Sequence, residues 1–258
     1  MIVRISCTLL LTVVACTSVA GGEIAPADKR SGYSFMQRDT QAMQDDDTTN
    51  PATFWVLDGE TLWRQKAGTA NRACADCHGD GRQSMKGVAA RYPAFSPARG
   101  RPVDLEQRIN ICRTDQQKAP ALEYESKDLL ALTIYVAHQS RGLPITITVD
   151  KMFEFLEAGR NLFHRRQGQL NLSCSQCHDD NWGRQLAGNV IPQGHATGYP
   201  IYRLEWQTVG SLQRRLRNCM TGMRAEPYGF GSPEHVALEL YLMWRARGMP
   251  METPAVRP

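Results

Sequence analysis

The stretch GETLWRQKAGTANRACADCHGD, Gly59 to Asp80, returns one hundred residues later as GRNLFHRRQGQLNLSCSQCHDD, Gly159 to Asp180. Gly59, Leu62, Gly68, Asn71 and the whole Cys-x-x-Cys-His run find counterparts. At an offset of 107, RYPAF (Arg91 to Phe95) meets GYPIY (Gly198 to Tyr202), and LEQRINIC (Leu105 to Cys112) meets LQRRLRNC (Leu212 to Cys219). At 106, SKDLLALTIYVAHQSRGLP from Ser126 meets SPEHVALELYLMWRARGMP from Ser232. The drifting offset reads as loop insertions within one unit present twice.

Both units carry the attachment pattern for c-type haem, CADCH at Cys74 to His78 and CSQCH at Cys174 to His178. Two thiols bind the haem covalently and the adjacent histidine ligates iron. The spacing therefore assigns Cys74, Cys77 and His78 to one haem, and Cys174, Cys177 and His178 to a second. A four-cysteine zinc site wants its pairs roughly 15 to 20 residues apart, and a thioredoxin-like pair wants a βαβ setting; neither is present.

Each unit reads as a helix ending near the CxxCH, a Gly/Pro-rich loop, a helix carrying a lone cysteine, another loop and an apolar C-terminal helix. That last helix is bounded by Gly142 or Gly248 as C-cap, with Pro144 or Pro250 beyond. This is the plan of a class I cytochrome c domain. The expected fold is all-α: two tandem class I cytochrome c-like domains related by internal duplication, over residues 51–149 and 150–258.

The chain has 258 residues, of which 42% are hydrophobic and 22% charged. A net charge of +4 is too mild for a nucleic-acid footprint. Residues 1–20 have the order of a secretory signal peptide: Arg4, the apolar run ISCTLLLTVVAC, then SVA before Gly21 and Gly22. Cleavage is expected after Ala20; a lipoprotein box ending at Cys16 is the alternative, and either places the mature chain in the periplasm. No later segment is apolar enough to span a membrane. Residues 21–50, with the DDDTTN run, read as an N-terminal extension that orders against a partner or the second domain.

The repeat also searches for the other axial ligands. Met85, Met220, Met223, Met243 and Met249 each align with a residue other than methionine. His138 falls opposite Trp244, His164 opposite Arg64 and His235 opposite Leu129. Cysteine alone recurs, Cys112 with Cys219, and each has an arginine one helical turn earlier, Arg108 and Arg215. A disulfide between the two, or inert burial, remains open beside axial ligation. A guanidinium next to a thiol lowers its pKa and favours the ligating anion. Around Cys219 the arginines are denser: Arg214, Arg215, Arg217 and Arg224.

The tandem units, the paired distal cysteines and the run CMTGMRAEPY, Cys219 to Tyr228, resemble the SoxA family, subunits of the SoxAX cytochromes of bacterial thiosulfate oxidation. The resemblance covers essentially all of the mature chain and points to the branch with two haem motifs. It implies an L-cysteine S-thiosulfotransferase that joins thiosulfate oxidatively to a cysteine of the carrier SoxYZ, with electrons leaving through the monohaem partner SoxX. It further implies that Cys219 is the active-site cysteine, a ligand of the second haem found as a persulfide. Arg215 would be the substrate-binding arginine, and Cys112 the distal ligand of the first haem. The alternative is a dihaem electron-transfer protein whose cysteines are only ligands.

Overall fold

The computed structural model describes residues 24–258. The expected signal peptide, Cys16 included, lies outside them. The chain begins with short 3-10 turns and α1 (Arg38–Asp45), followed by α2 (Thr53–Arg64), α3 (Cys74–His78) and α4 (Gly81–Ser84). A hairpin of β1 (Ala94–Ser96) and β2 (Arg101–Val103) leads into α5 (Leu105–Cys112) and then α6 (Lys127–His138). The second half repeats this order: α7 (Phe153–His164), α8 (Cys174–His178), hairpin β3 (Gln185–Leu186) and β4 (Asn189–Val190), hairpin β5 (Ile201–Arg203) and β6 (Thr208–Gly210), α9 (Leu212–Gly222) and α10 (Pro233–Arg245). The final strand, β7 (Ala255–Arg257), adds parallel to β5.

The expectation of an all-α chain is corrected: the protein is helix-rich, but among the described residues seven short strands form three small sheets. Strands of two or three residues are too short to leave a two-residue hydrophobic alternation. A second correction concerns the helix before the haem motif. It ends at Arg64, and the CxxCH forms its own one-turn helix after a loop closed by an Ala67–Arg72 bridge. Likewise α6 and α10 stop at His138 and Arg245, ahead of the glycines expected to cap them. Gly142 and Gly248 instead occupy left-handed positions in the following turns, at φ 78° and 83°.

Packing in each half rests on one helix pair, α2 against α6 and α7 against α10. The central helices are apolar on nearly every face, since Leu129 to Ala137 are all buried, and a helix apolar all round belongs in a core. Their N-termini are capped by Ser126 and Ser232, whose hydroxyls accept from the backbone N–H three residues on.

The halves are joined by their own repeated turns. Gly142 donates its backbone N–H to the Met251 carbonyl at 2.8 Å, and Gly248 donates to the Ile145 carbonyl at 2.9 Å. Ile145 donates to Met249 and Met251 to Leu143, each at 2.9 Å. Each bond becomes its partner when 106 is added to the first-half residue number and subtracted from the second-half one, so the turns meet about a local pseudo-twofold. The apolar core crosses the same line, with Ala89, Ala90, Ala137 and Ile145 packed among residues of α7 and α10. The N-terminal extension lies on the second half: Asn50 Nδ2 donates to the Pro254 carbonyl at 2.9 Å, and Val256 donates its N–H to Gln44 Oε1 at 3.1 Å.

Candidate haem sites and the Cys219 thiol

A capping box starts the second haem helix. The Ser173 hydroxyl accepts from Gln176 N–H while the Gln176 side chain accepts from Ser173 N–H at 2.9 Å. In the first, Asp76 accepts from Ala73 N–H at 2.8 Å. These contacts fix the single turn that sets both thiols and the histidine of each CxxCH side by side. The six cysteines among the described residues are free thiols, so the Cys112–Cys219 disulfide is not formed.

In the first half Cys74, Cys77, His78, Arg108 and Cys112 line one cavity of about 660 Å³, walled by Trp63, Tyr92 and Phe95. That is the size and apolar character of a cofactor site, and its lining offers three thiols and a histidine, donors that could attach a haem and ligate its iron. A covalently bound haem fits it. In the second half Cys219 lies close to His178, and Cys174 and Cys177 lie close enough to feel the Cys219 charge. The His178 Nδ1 sits 2.6 Å from the Pro192 carbonyl. Such a bond holds a ligating histidine in the tautomer that leaves Nε2 free for metal. All four residues assigned to each site from the sequence are therefore brought together.

The thiols differ. Burial pushes Cys74, Cys112 and Cys177 up, and Cys174 up to about 12. Burial also acts upward on Cys219, but the neighbouring His178 and the charges of Arg215 and Arg203 overcome it and leave Cys219 at about 7. Cys219 is thus the one thiol of the set held below its ordinary value.

The arginines sort themselves. Arg215 faces Cys219 and Tyr199 and hydrogen-bonds to no described residue. Arg214 is drawn off to Glu125 at 3.8 Å and stacks over Trp206 at 4.4 Å. Arg217 donates to the Tyr228 carbonyl and lies 4.7 Å over Phe230, while Arg224 sits in a left-handed turn at φ 54°. Of the sequence cluster only Arg215 addresses the thiol. Arg203 joins it from β5 and was missed in the sequence, although it directly follows GYPIY in the aligned repeat. Arg245 was missed too. It ion-pairs with Asp179, next to His178, and lies 4.6 Å over Phe163.

Two CxxCH helices, each with its histidine and a distal cysteine converging on one site, define a c-type cytochrome with covalently bound haem. The chain belongs to the SoxA/TsdA cytochrome c family, whose domain model matches residues 58–145 and 158–251. It is 38% identical to the L-cysteine S-thiosulfotransferase subunit SoxA of Rhodovulum sulfidophilum over 88% of this chain and 80% of that one. It is 36% identical to the subunit of the same name from Pseudaminobacter salicylatoxidans, over 93% and 85%. The crystal structure of SoxXA from P. pantotrophus superposes with a TM-score of 0.86 at 31% identity, covering 89% of this chain and 87% of that one.

Proposed function

We propose that this chain is the SoxA subunit of an L-cysteine S-thiosulfotransferase. It would carry two covalently bound haems in cytochrome c-like domains 51–149 and 150–258 that arose by internal duplication. Cys74 and Cys77 would attach the first haem, with His78 and Cys112 as its iron ligands; Cys174 and Cys177 would attach the second, with His178 and Cys219 as its iron ligands. The small cytochrome SoxX is its partner, SoxYZ its protein substrate and the periplasm its compartment. Among the described residues no helix is long and apolar enough to cross a membrane.

The observation that carries this reading is that two guanidinium groups, Arg215 and Arg203, act on the Cys219 thiol, whereas its equivalent Cys112 has Arg108 alone. Guanidinium charge beside a thiol favours the thiolate, and the thiolate is the nucleophile. Arg215, free of other partners, is placed to hold a dianionic thiosulfate by charge-assisted hydrogen bonds. The Cys219 thiolate and the sulfane sulfur of thiosulfate form an S–S bond with loss of two electrons. The carrier thiolate then attacks that sulfane sulfur, takes the S–SO3 group and releases the Cys219 thiolate, as in ordinary thiol–disulfide exchange. A haem held beside Cys219 would supply one-electron redox chemistry, and the cytochrome partner would take up the two electrons.

The alternative, a dihaem electron carrier whose cysteines are only ligands, does not call for a second guanidinium beside one of them. The test is conjugation of thiosulfate to SoxYZ by the holoprotein with SoxX present. Activity in the wild type and none in Cys219→Ala supports the transferase; full activity in Cys219→Ala would overturn the assignment.

A further inference from the structure

The repeat allows the two thiol sites to be subtracted from one another. Tyr92, Arg108 and Cys112 in the first half stand where Tyr199, Arg215 and Cys219 stand in the second. In each half the tyrosine is within electrostatic reach of both the arginine and the cysteine. Whatever distinguishes Cys219 therefore lies outside this shared triad, Arg215 included.

The flanking hairpins superimpose in register. β1 pairs Ala94 with Val103, Phe95 with Pro102 and Ser96 with Arg101; β5 pairs Ile201 with Gly210, Tyr202 with Val209 and Arg203 with Thr208. At the offset of 107 every pair corresponds, and Arg203 takes the place of Ser96. The charge that acts on Cys112 beyond Arg108 comes from Asp115 and Cys77, whereas Cys219 feels Arg203. A small neutral side chain in one half has become a guanidinium in the other, next to the cysteine.

Arg203 is 5% exposed, and its fork is only partly used. Nε donates to the Pro258 carbonyl at 2.7 Å and Nη2 pairs with Glu205 at 2.9 Å, while the guanidinium carbon lies 5.2 Å from the Trp206 ring centre. Nη1 is buried with no hydrogen-bond partner. A buried guanidinium nitrogen without an acceptor is rare in native structures, and Pro258, Glu205 and β-pairing to Thr208 and Arg257 keep this one from turning away.

We propose that Arg203 is a second anion-binding residue of the Cys219 site, donating Nη1 to a sulfonate oxygen of a sulfur oxyanion. Arg215 and Arg203 would then divide the dianion between them, orienting its sulfane end toward Cys219. This rests on the thiosulfotransferase reading for the identity of the anion. The haem beside Cys219 carries carboxylates of the same acceptor chemistry, so the experiment separates the two sources.

The holoprotein with SoxX would be compared as wild type, Arg203→Gln and Arg203→Lys. Substrate dependence of conjugation, inhibition by inert sulfate, the haem spectrum and the haem reduction potentials are measured for each. The expected result for Arg203→Gln is a KM for thiosulfate and a Ki for sulfate each raised about tenfold or more, with a smaller change in kcat. Spectrum and potentials stay at wild-type values, and Arg203→Lys recovers part of both affinities. Unchanged KM and Ki in Arg203→Gln overturn the proposal, as does a shift in potential without a change in KM, which assigns Arg203 to a haem carboxylate. Calorimetric binding of sulfate to wild type and to Arg203→Gln decides the subsite even if the wild type conjugates no thiosulfate, an outcome that refutes only the enzymatic reading. A melting temperature for each variant near that of the wild type shows that Arg203→Gln still folds; a fall in Arg203→Gln passes the decision to a crystal structure of the wild-type complex in sulfate, where Nη1 donating to a sulfate oxygen upholds the proposal and Nη1 without a sulfate contact overturns it.

Discussion

A Cβ on Gly59 would stand 2.0 Å from the carbonyl oxygen of Ala131, and one on Gly159 the same 2.0 Å from the carbonyl oxygen of Ala237. Helix α2 crosses α6, and α7 crosses α10, at a separation that only a glycine permits. Because the obstacle is backbone, the helices themselves must part. Gly59→Ala or Gly159→Ala should cost about 3 kcal/mol, which for a chain of this size lowers the melting temperature by roughly 10 °C. Gly188, with nothing within 4 Å of its added Cβ, should accept alanine within about 0.5 kcal/mol. Thermal melts followed by circular dichroism compare the three; equal stability for all would refute the crossing argument.

The two distal cysteines should separate in function. Cys219 has both Arg215 and Arg203 acting on it and is drawn down, whereas Cys112 has Arg108 alone and burial pushes it up. Cys219→Ala is expected to abolish thiosulfate conjugation. Cys112→Ala is expected to change the ferric spectrum through loss of one sulfur ligand while conjugation continues. Parallel steady-state assays and absorption spectra of the two holoproteins check this, and loss of conjugation in Cys112→Ala would place the reaction at the first site.

How much of this could be read beforehand follows from the range over which each feature is encoded. The haem motifs, the apolar helices and the glycine pairs are local or exactly repeated, and they stood out from alignment of the chain with itself. The sheets did not, because strands as short as Gln185–Leu186 leave no periodicity and β7 finds β5 only through tertiary packing. Arginines near Cys219 in sequence were overcounted for the same reason. Arg214 and Arg217 point around the helix to Glu125 and to the Tyr228 carbonyl, while Arg203 comes from a hairpin sixteen residues away in the chain. Helical spacing selects Arg215; it cannot register a side chain delivered by another element.

Acid stability should show two opposed titrations. Burial pushes Asp104, between the two halves, up to about 6, and raises Glu106 and Glu239 well above the usual carboxylate range. Burial drives His195 down to about 4; it is neutral at its contact with the Arg30 carbonyl. Asp104 contributes stability present below its unfolded value and lost as pH rises through 6. His195 contributes stability present above its unfolded value and lost as pH falls through 4. Each is worth about 3 kcal/mol, so between pH 4 and 6 these two offset one another, while Glu106 and Glu239 add slopes of the same sign as that of Asp104. Asp104→Asn keeps an N-cap acceptor, and its stability relative to the wild type should rise with pH across that interval; that of His195→Gln should fall. Urea melts at steps from pH 4 to 7 read both slopes, and an Asp104→Asn profile superimposed on the wild type would mean Asp104 is already ionised at pH 4.

Arg245 ties the second haem helix to the rest of the fold. Its guanidinium pairs with Asp179, the side chains being 5% and 12% exposed, and donates to the Gln193 carbonyl at 3.3 Å. The Gln193 side chain in turn accepts from Arg30 N–H at 2.7 Å and donates to the Asp28 carbonyl at 3.1 Å, so one buried charge pair connects α8, α10 and the N-terminal extension. Removing one partner strands the other charge in the interior. Asp179→Asn should therefore cost roughly 3–5 kcal/mol, and Arg245→Met a similar amount, since it leaves the Asp179 carboxylate unpaired. The double variant removes both charges and fills the space over Phe163, so it should be less destabilised than the sum of the two by about 2 kcal/mol. A double-mutant cycle in urea reads the coupling directly. Additive losses would show that Arg245 stabilises through its contact with Phe163 alone.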